Sequence, residues 1–381
     1  MTENEKMSSQ LISGPVLKSV DEWDQPLDSD NLLKDTVEHY LRSRIWKYIF
    51  IVICVVAIFL VAGYAVTIGP YKIGFLETYE TILNHLTDNV TDSTKDYVVW
   101  DLRMPHILGG LIAGAGLAVC GAVMQNTMKN PLADPYTTGV SSGASLGATL
   151  AMTVFAGSAI ASRNGTVICA FLFSLLPVFM MVAISQMKGA SPTTMIMAGI
   201  GIMYIFNAIT TLLMMWSDPQ ELSSIYRWQV GSLDIVLWGD IPIMFVIVLI
   251  GLIVSMLISS KLNVLATGDE SAIAMGINAE RMRIWCLIMV GLVSAVVVSF
   301  TGLIGFVGLV APHITRLFIG SDNRFLIPAC ALFGSMLMIT ADAIGRVILD
   351  PYVLQVGVVM AFLGGPIFLA LLLSSKKKVW A

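Results

Sequence analysis

The sequence predicts an all-α, polytopic membrane protein of about ten transmembrane helices carrying an inverted internal repeat. Three observations lead there. The 381-residue chain is 56% hydrophobic and 13% charged, with mean hydropathy +0.80. A soluble domain carries about 25% charged residues, so this chain must be covered mostly by lipid. Apolar stretches near the roughly 20 residues that cross the hydrocarbon as a helix recur along the chain, and lipid forbids open backbone there. The third observation is an internal echo. A shift of 181 residues lays Gly121 on Gly302, Pro131 on Pro312 and Gly139 on Gly320.

Residues 1–41 hold nine acids, from Glu3 to Glu38, against Lys6, Lys18 and Lys34. That composition predicts an acidic, disordered cytosolic tail, with residues 31–44 suited to an amphipathic helix leading into the membrane. No basic stretch precedes an apolar run, so no cleavable signal peptide is expected. The transmembrane domain is expected over residues 42–381. Its crossings centre on 46–66, 104–126, 138–157, 165–186, 193–215, 239–259, 283–301, 303–318, 325–347 and 353–373. The eighth is short and rich in glycine.

Lysine and arginine in the loops set the orientation. With the N-terminus inside, the cytosolic side collects Arg42, Arg44, Lys47, Lys129, Lys188, Lys261, Arg281, Arg283, Arg316, Arg324, Lys376, Lys377 and Lys378. The outer side keeps Lys72, Lys95, Arg103, Arg163, Arg227 and Arg346. The bias predicts both termini in the cytosol. The span at 104 then runs opposite to the span at 283, which is the sense an inverted repeat requires.

Two loops carry structure of their own. Residues 217–238, bounded by Pro219 and Gly231, predict a short amphipathic helix on the outer surface. Residues 260–282 form the longest cytosolic loop. Asp269 or Ser271 is placed to cap a helix running to Met275 and ended by Gly276, and a second short helix is expected from Asn278.

Absences narrow the function. No GxxxxGK[ST] motif occurs, so the chain has no phosphate-cradling loop of its own. Asp342 is the clearest acid deep in a span, where an ion-coupled transporter normally shows more. The five cysteines lie in apolar segments without CxxC spacing and read as buried hydrophobes. His39, His85, His106 and His313 are scattered, which gives no metal site in sequence.

Two long motifs carry a resemblance. "DLRMPHILGGLIAGAGLAVCGAVMQNTMKNPLADPYTTGVSSGASLGA", residues 101–148, and "GLIGFVGLVAPHITRLFIGSDNRFLIPACALFGSMLMITADAIGR", residues 302–346, resemble the two signatures of the FecCD-type permeases. These are membrane subunits of ABC importers for iron-siderophores, haem and cobalamin. The resemblance runs over roughly residues 46–375 and leaves out the acidic tail. It implies the type II ABC importer permease fold: a ten-helix subunit forming a homodimer around a central path. Two ATP-binding cassette ATPase subunits and an extracytoplasmic substrate-binding protein complete the implied complex.

The resemblance also assigns residues. "LATGDESAIAMGI" is similar to the family's coupling loop, which implies ATPase-coupling roles for Gly268, Asp269, Glu270, Ala272, Met275 and Gly276. A short capped helix is a stiff lever, and Gly276 permits a tight turn behind it. Arg103 and Arg346 match arginines that receive acidic groups of the binding protein. His106 stands where a second arginine is usual, which weakens that contact or makes it pH-dependent. "VLQVG", Val353–Gly357, replaces the usual "ELPVG", so Gln355 offers a hydrogen bond at the mouth of the path. Asn207 in the fifth span is a second candidate for the path.

Asn126, Asn130 and Pro131 read as a polar helix end with a proline-stopped turn at the cytosolic face. Pro312, His313 and Arg316 read as its counterpart, with Pro312 breaking or kinking the helix and His313 at the membrane edge. Asp342 and Arg346, at i and i+4, are placed to pair on one helix face. The chain is thus expected to be a non-enzymatic permease without cofactor or nucleic-acid partner. The expected cargo is an iron chelate, with a corrinoid or haem as alternatives and an ion-coupled secondary transporter as the rival class.

Overall fold

The computed structural model describes residues 29–69, 71–349 and 352–374, and among these it contains helices and no strand. The chain divides into two units, Met1–Ile49 and Phe50–Ala381. In the first, residues from Ser29 onward belong to helix α1, Ser29–Thr67. Residues 29–41, expected as part of the acidic tail, are therefore helical. Residues 1–28 and the lysines at 376–378 lie outside the described residues.

The second unit sets a helix at every predicted crossing. After α1 come α2 (Phe75–Leu86), α3 (Ser93–Asp96), a π-helical turn (Tyr97–Arg103) and α4 (Met104–Thr127). Then follow α5 (Val140–Met152), α6 (Arg163–Lys188), α7 (Pro192–Met215), the short helix α8 (Pro219–Val230) and α9 (Ile241–Leu257). The chain continues through α10 (Ser259–Thr267), α11 (Asp269–Ala274), α12 (Ala279–Thr301), α13 (Val307–Ile319), α14 (Asn323–Val347) and α15 (Val356–Ser374). Among the described residues six helices can span a membrane by length and composition, or seven if α9 and α10, bent by 58°, make one span. The second crossing starts earlier than its apolar run, because helix continues back through the π-helical turn to Ser93.

α4 is the axis of the unit. Nearly all of it is buried, against α14, α13, α12 and α9. In lipid no hydrophobic force drives helices together, so small residues that let backbones approach do the work. A Cβ on Gly114 would collide with the Gly334 carbonyl, and one on Gly121 with the Gly308 carbonyl. α4 therefore meets α14 and α13 backbone to backbone.

The internal repeat is visible in helix lengths. α4 to α7 have 24, 13, 26 and 24 residues, and α12 to α15 have 23, 13, 25 and 19. The constant 181-residue shift is the wrong register for these elements, whose partners begin at Met104 and Ala279, Val140 and Val307, Arg163 and Asn323. Gly139 and Gly320 share a positive φ, +87° and +85°, but their ψ of −2° and −170° differ, and Gly139 precedes α5 whereas Gly320 follows α13; Gly121 is mid-helix whereas Gly302 ends α12.

The third and eighth crossings are half-helices. At 1.5 Å per residue each 13-residue helix covers about 20 Å of a roughly 30 Å core. The remainder is irregular backbone, which membranes tolerate only inside protein. The Tyr136 hydroxyl secures it, donating to Ile304 O at 2.9 Å and accepting from Ile304 N at 3.0 Å. Pro312 does not break α13 but lies within it. The Gly308 carbonyl that proline leaves unbonded is approached by Gln125 Nε2 at 3.5 Å, and Leu309 O at 3.4 Å.

Candidate functional site

Two polar clusters lie at opposite ends of α4. The first gathers all three residues proposed for binding-protein docking. His106, one turn into α4, has Nε2 2.7 Å from Asp342 Oδ1 on α14 and Nδ1 2.9 Å from Asp234 Oδ1 in the loop after α8. Arg346 Nη2 reaches Asp342 Oδ2 at 2.7 Å, the expected i,i+4 pair. His106 thus bridges the two acidic side chains with both of its ring nitrogens. Arg103 does not join the chain of contacts. It donates to the carbonyls of Val66 and Tyr71, fastening the linker between α1 and α2.

Burial distinguishes this cluster from a surface patch. Arg103, His106, Asp342 and Arg346 are 5%, 5%, 6% and 8% exposed, while the Asp234 side chain is 57% exposed. The hydrogen bond from His106 holds the Asp234 carboxyl below the usual carboxylate range. A cavity of about 370 Å³ opens onto the cluster, lined by Asp101, Arg103, His106, Asp234 and Arg346 among others.

The second cluster fixes α11. Asp269, its first residue, accepts from Lys129, just beyond α4, and from Arg283 on α12. Arg283 is wholly buried and also donates to Thr127 O at 3.1 Å and Ala190 O at 3.3 Å. One guanidinium thus ties α11 to the end of α4 and to the turn before α7. The Arg283 hydrogen bond, with Lys129 beside it, draws the Asp269 carboxyl down to about 2. Neither Asp269 nor Ser271 caps α11; Gly268 occupies that position with φ +143°, a conformation suited to glycine.

Ala272 is buried against Leu265 and Ala279, which seats the inner face of α11. Its other face is open. Glu270 is exposed, Ile273 and Met275 are 66% and 68% exposed, and Gly276 turns the chain with φ +78°. Asn278 starts no separate helix; it caps α12 by accepting from Arg281 N at 2.9 Å.

Beside this clamp runs an amide chain. Asn126 donates to Asn323 at 2.8 Å, Asn323 to Asn263 at 2.8 Å, and Asn263 to Asp322 at 2.8 Å. Asn130 accepts from Leu132 N at 2.9 Å, forming the turn that Pro131 continues. Pro312 and His313 sit in the interior of α13 rather than at its end, and Arg316 in its last turn donates to Gln125 Oε1 at 3.2 Å. The two path candidates separate. Asn207 lines a groove of about 280 Å³ with Ser142, Ser145, Thr210, Thr211 and Gln229. Gln355 lines a different cavity of about 830 Å³ near Arg163, Arg227, Trp228 and Asp234.

Sequence reasoning missed Asp234, Lys129, Arg283, Asn263 and Asn323 as cluster members. Lys129 and Arg283 were counted only as positive-inside charges. The nearest sequence signal was Arg283 lying one turn inside an apolar helix, deeper than a snorkelling residue needs to be. Among the described residues no group of His, Cys, Asp or Glu is placed to hold a metal.

Residues 49–374 match the FecCD transport family. The chain is 38% identical over 342 residues to an ABC transporter permease protein of Methanocaldococcus jannaschii, covering 87% of this chain and 96% of that one. It is 36% identical over 281 residues to a cobalamin import system permease protein of Halobacterium salinarum, covering 73% and 74%. A solved structure described as an inward-facing conformation of a metal-chelate type ABC transporter superposes with TM-score 0.74 at 28% identity, covering 85% of this chain and 99% of that one. The match over most of the length, the paired helix runs and the two half-helices agree: the chain belongs to the FecCD transport family.

Proposed function

We propose that this chain is the membrane permease of an ABC importer that carries an iron chelate into the cell, driven by ATP hydrolysis in partner subunits. The observation that carries the coupling role is α11, fixed at its root by Asp269, Arg283 and buried Ala272 and presenting Glu270, Ile273 and Met275 outward. A rigid root with an open apolar tip is what a lever pressed by a neighbouring subunit needs. Gly268 and Gly276 mark the two ends of that lever. Two copies of the chain would face each other across the path, with two ATPase subunits below and a binding protein above. Both termini would lie in the cytosol, as the lysine and arginine bias suggests.

The Asn207 groove suits such cargo. Its serine, threonine and glutamine side chains offer hydrogen bonds without charge, as a metal already wrapped by its chelator requires, and several relatives are iron-chelate permeases. At the outer end, the cavity beside Arg103, His106 and Arg346 would admit an acidic side chain of the binding protein, and Gln355 would line the mouth. Asn126, Asn130, Pro131, Pro312, His313 and Arg316 would be structural members of the inner half.

The test is reconstitution in vesicles with the cognate ATPase and binding protein, following a radiolabelled ferric siderophore, haem and cobalamin. ATP-dependent uptake of the siderophore supports the reading. Uptake of cobalamin or haem alone overturns the cargo, and uptake on an ion gradient without ATP overturns the class. In the same vesicles Glu270→Lys is expected to lower transport at least tenfold while ATP hydrolysis persists; wild-type coupling would remove Glu270 from the lever.

A further inference from the structure

The helix α2, Phe75–Leu86, has three distinct flanks, although no part of it crosses the membrane. Its inward flank is fixed: Thr78 is fully buried, and His85 stacks on Trp100 at 4.0 Å and bonds Asp96 at 2.9 Å. A second flank carries Glu77, paired with Lys95, together with Glu80 and Asn84. On the third, Phe75, Leu76, Tyr79, Leu83 and Leu86 are 55%, 82%, 41%, 62% and 65% exposed. Those positions fall along one stripe of a 3.6-residue helix.

What covers that stripe follows from what it adjoins. The Tyr79 hydroxyl lies where a Cβ on Gly63 would sit, 2.5 Å away, so α2 packs beside the last turns of α1. There α1 turns outward Phe59, Leu60 and Tyr64, 75%, 69% and 58% exposed, on a span of which only 17% is buried. On a membrane-spanning helix, lipid covers such a surface wherever a partner copy does not. An apolar groove of about 600 Å³, lined by Leu60, Tyr64, Ile68, Ile344, Val347 and others, continues the same surface. A helix with protein on one flank, acids on the second and apolar side chains on the third, adjoining a lipid-covered span, has the geometry of an interfacial helix.

We propose that α2 lies in the membrane interface at the end of the bundle remote from α11, with its Leu76, Tyr79, Leu83 and Leu86 flank sunk among lipid acyl chains and its Glu80, Asn84 flank in water. The proposal rests on the membrane-spanning fold and not on the cargo. It makes α2 a float that holds the α1–α4 linker, and the Arg103 bonds to that linker, at a fixed depth.

Single nitroxide labels at Leu83→Cys and Glu80→Cys in the full chain, reconstituted in phosphatidylethanolamine–phosphatidylglycerol vesicles, test it. The unsubstituted protein, labelled in parallel, gives the background from its own cysteines. Collision with oxygen, which concentrates in lipid, is compared with collision with a water-soluble nickel chelate. The oxygen-to-nickel ratio is expected to be several-fold higher at residue 83 than at residue 80. Equal ratios overturn the proposal, as does a nickel-accessible label at residue 83 that becomes protected when the binding protein is added. If either variant fails to elute as a single species, Leu86→Cys and Asn84→Cys provide the same comparison.

Discussion

The two ends of α4 carry the same motif with its charges inverted. At the α8 end a basic ring, His106, stands between two acidic side chains, and at the α11 end one acidic side chain, Asp269, stands between two basic ones. Their solvation differs. The His106 side chain is 6% exposed and the Asp269 side chain 43%. A buried ion pair that loses one member leaves an uncompensated charge, at a cost of about 3–5 kcal/mol. An exposed pair contributes about 0–1 kcal/mol, because water replaces the lost partner. The His106 cluster is therefore the costlier of the two to break; at the other, water reaches the Asp269 carboxyl while its partner Arg283 stays buried.

The largest effect is expected for Asp342→Ala, which strands Arg346 and His106 together. Stability should fall by about 3–5 kcal/mol, read as loss of folded protein in detergent thermal unfolding. A wild-type melting temperature would break the contrast between the two ends. Replacing the set with apolar groups, as His106→Leu with Asp342→Leu and Arg346→Met, should recover much of the loss, because the penalty belongs to the unpaired charge.

Arg283→Met comes next, because it removes three bonds from a fully buried side chain while freeing an acid that water can reach. About 1–3 kcal/mol is expected, with transport reduced more than ATP hydrolysis. Equal loss of both would make Arg283 a fold residue and nothing more. Asp269→Asn should cost under about 1 kcal/mol and show itself chiefly as faster amide exchange over residues 268–276.

The smallest effect is with pH. The Asp269 carboxyl titrates near 2 in the folded chain and near 3.9 when unfolded. The folded state favours the ionised form, so the clamp's contribution is complete above about pH 4 and fades as pH falls toward 2. Exchange over residues 268–276, corrected for intrinsic rates, should be flat from pH 8 to 5 in the wild type. A rise near neutral pH would mean that another group controls the loop.

Much of this frame was legible in the residues. Ten apolar runs became ten helices because helix is the form in which a chain satisfies its own backbone in lipid. The short helix α8 runs between Pro219 and Gly231 as expected, and Asp342 meets Arg346 because four residues make about one helical turn. The illegible parts were of another kind. His106 meets Asp342 across 236 residues and Asp269 meets Lys129 across 140, separations that no periodicity spans. The half-helices were drawn too long because apolar composition continues through irregular backbone that protein, not water, surrounds. α2 was overlooked because its stripe is too short for the ruler that found the crossings.

The separation between His106 and Asp342 also has a consequence for how the protein is made. At roughly 5–20 residues per second, translation needs about 10 to 50 s to travel from one to the other. Through that interval α4 sits in the bilayer with His106 lacking its buried partner, Asp342. Insertion of the first half cannot be final until the ninth crossing arrives. Nascent chains arrested before Asp342 should accordingly remain crosslinked to the insertion machinery through α4, and chains arrested well beyond Arg346 should be released.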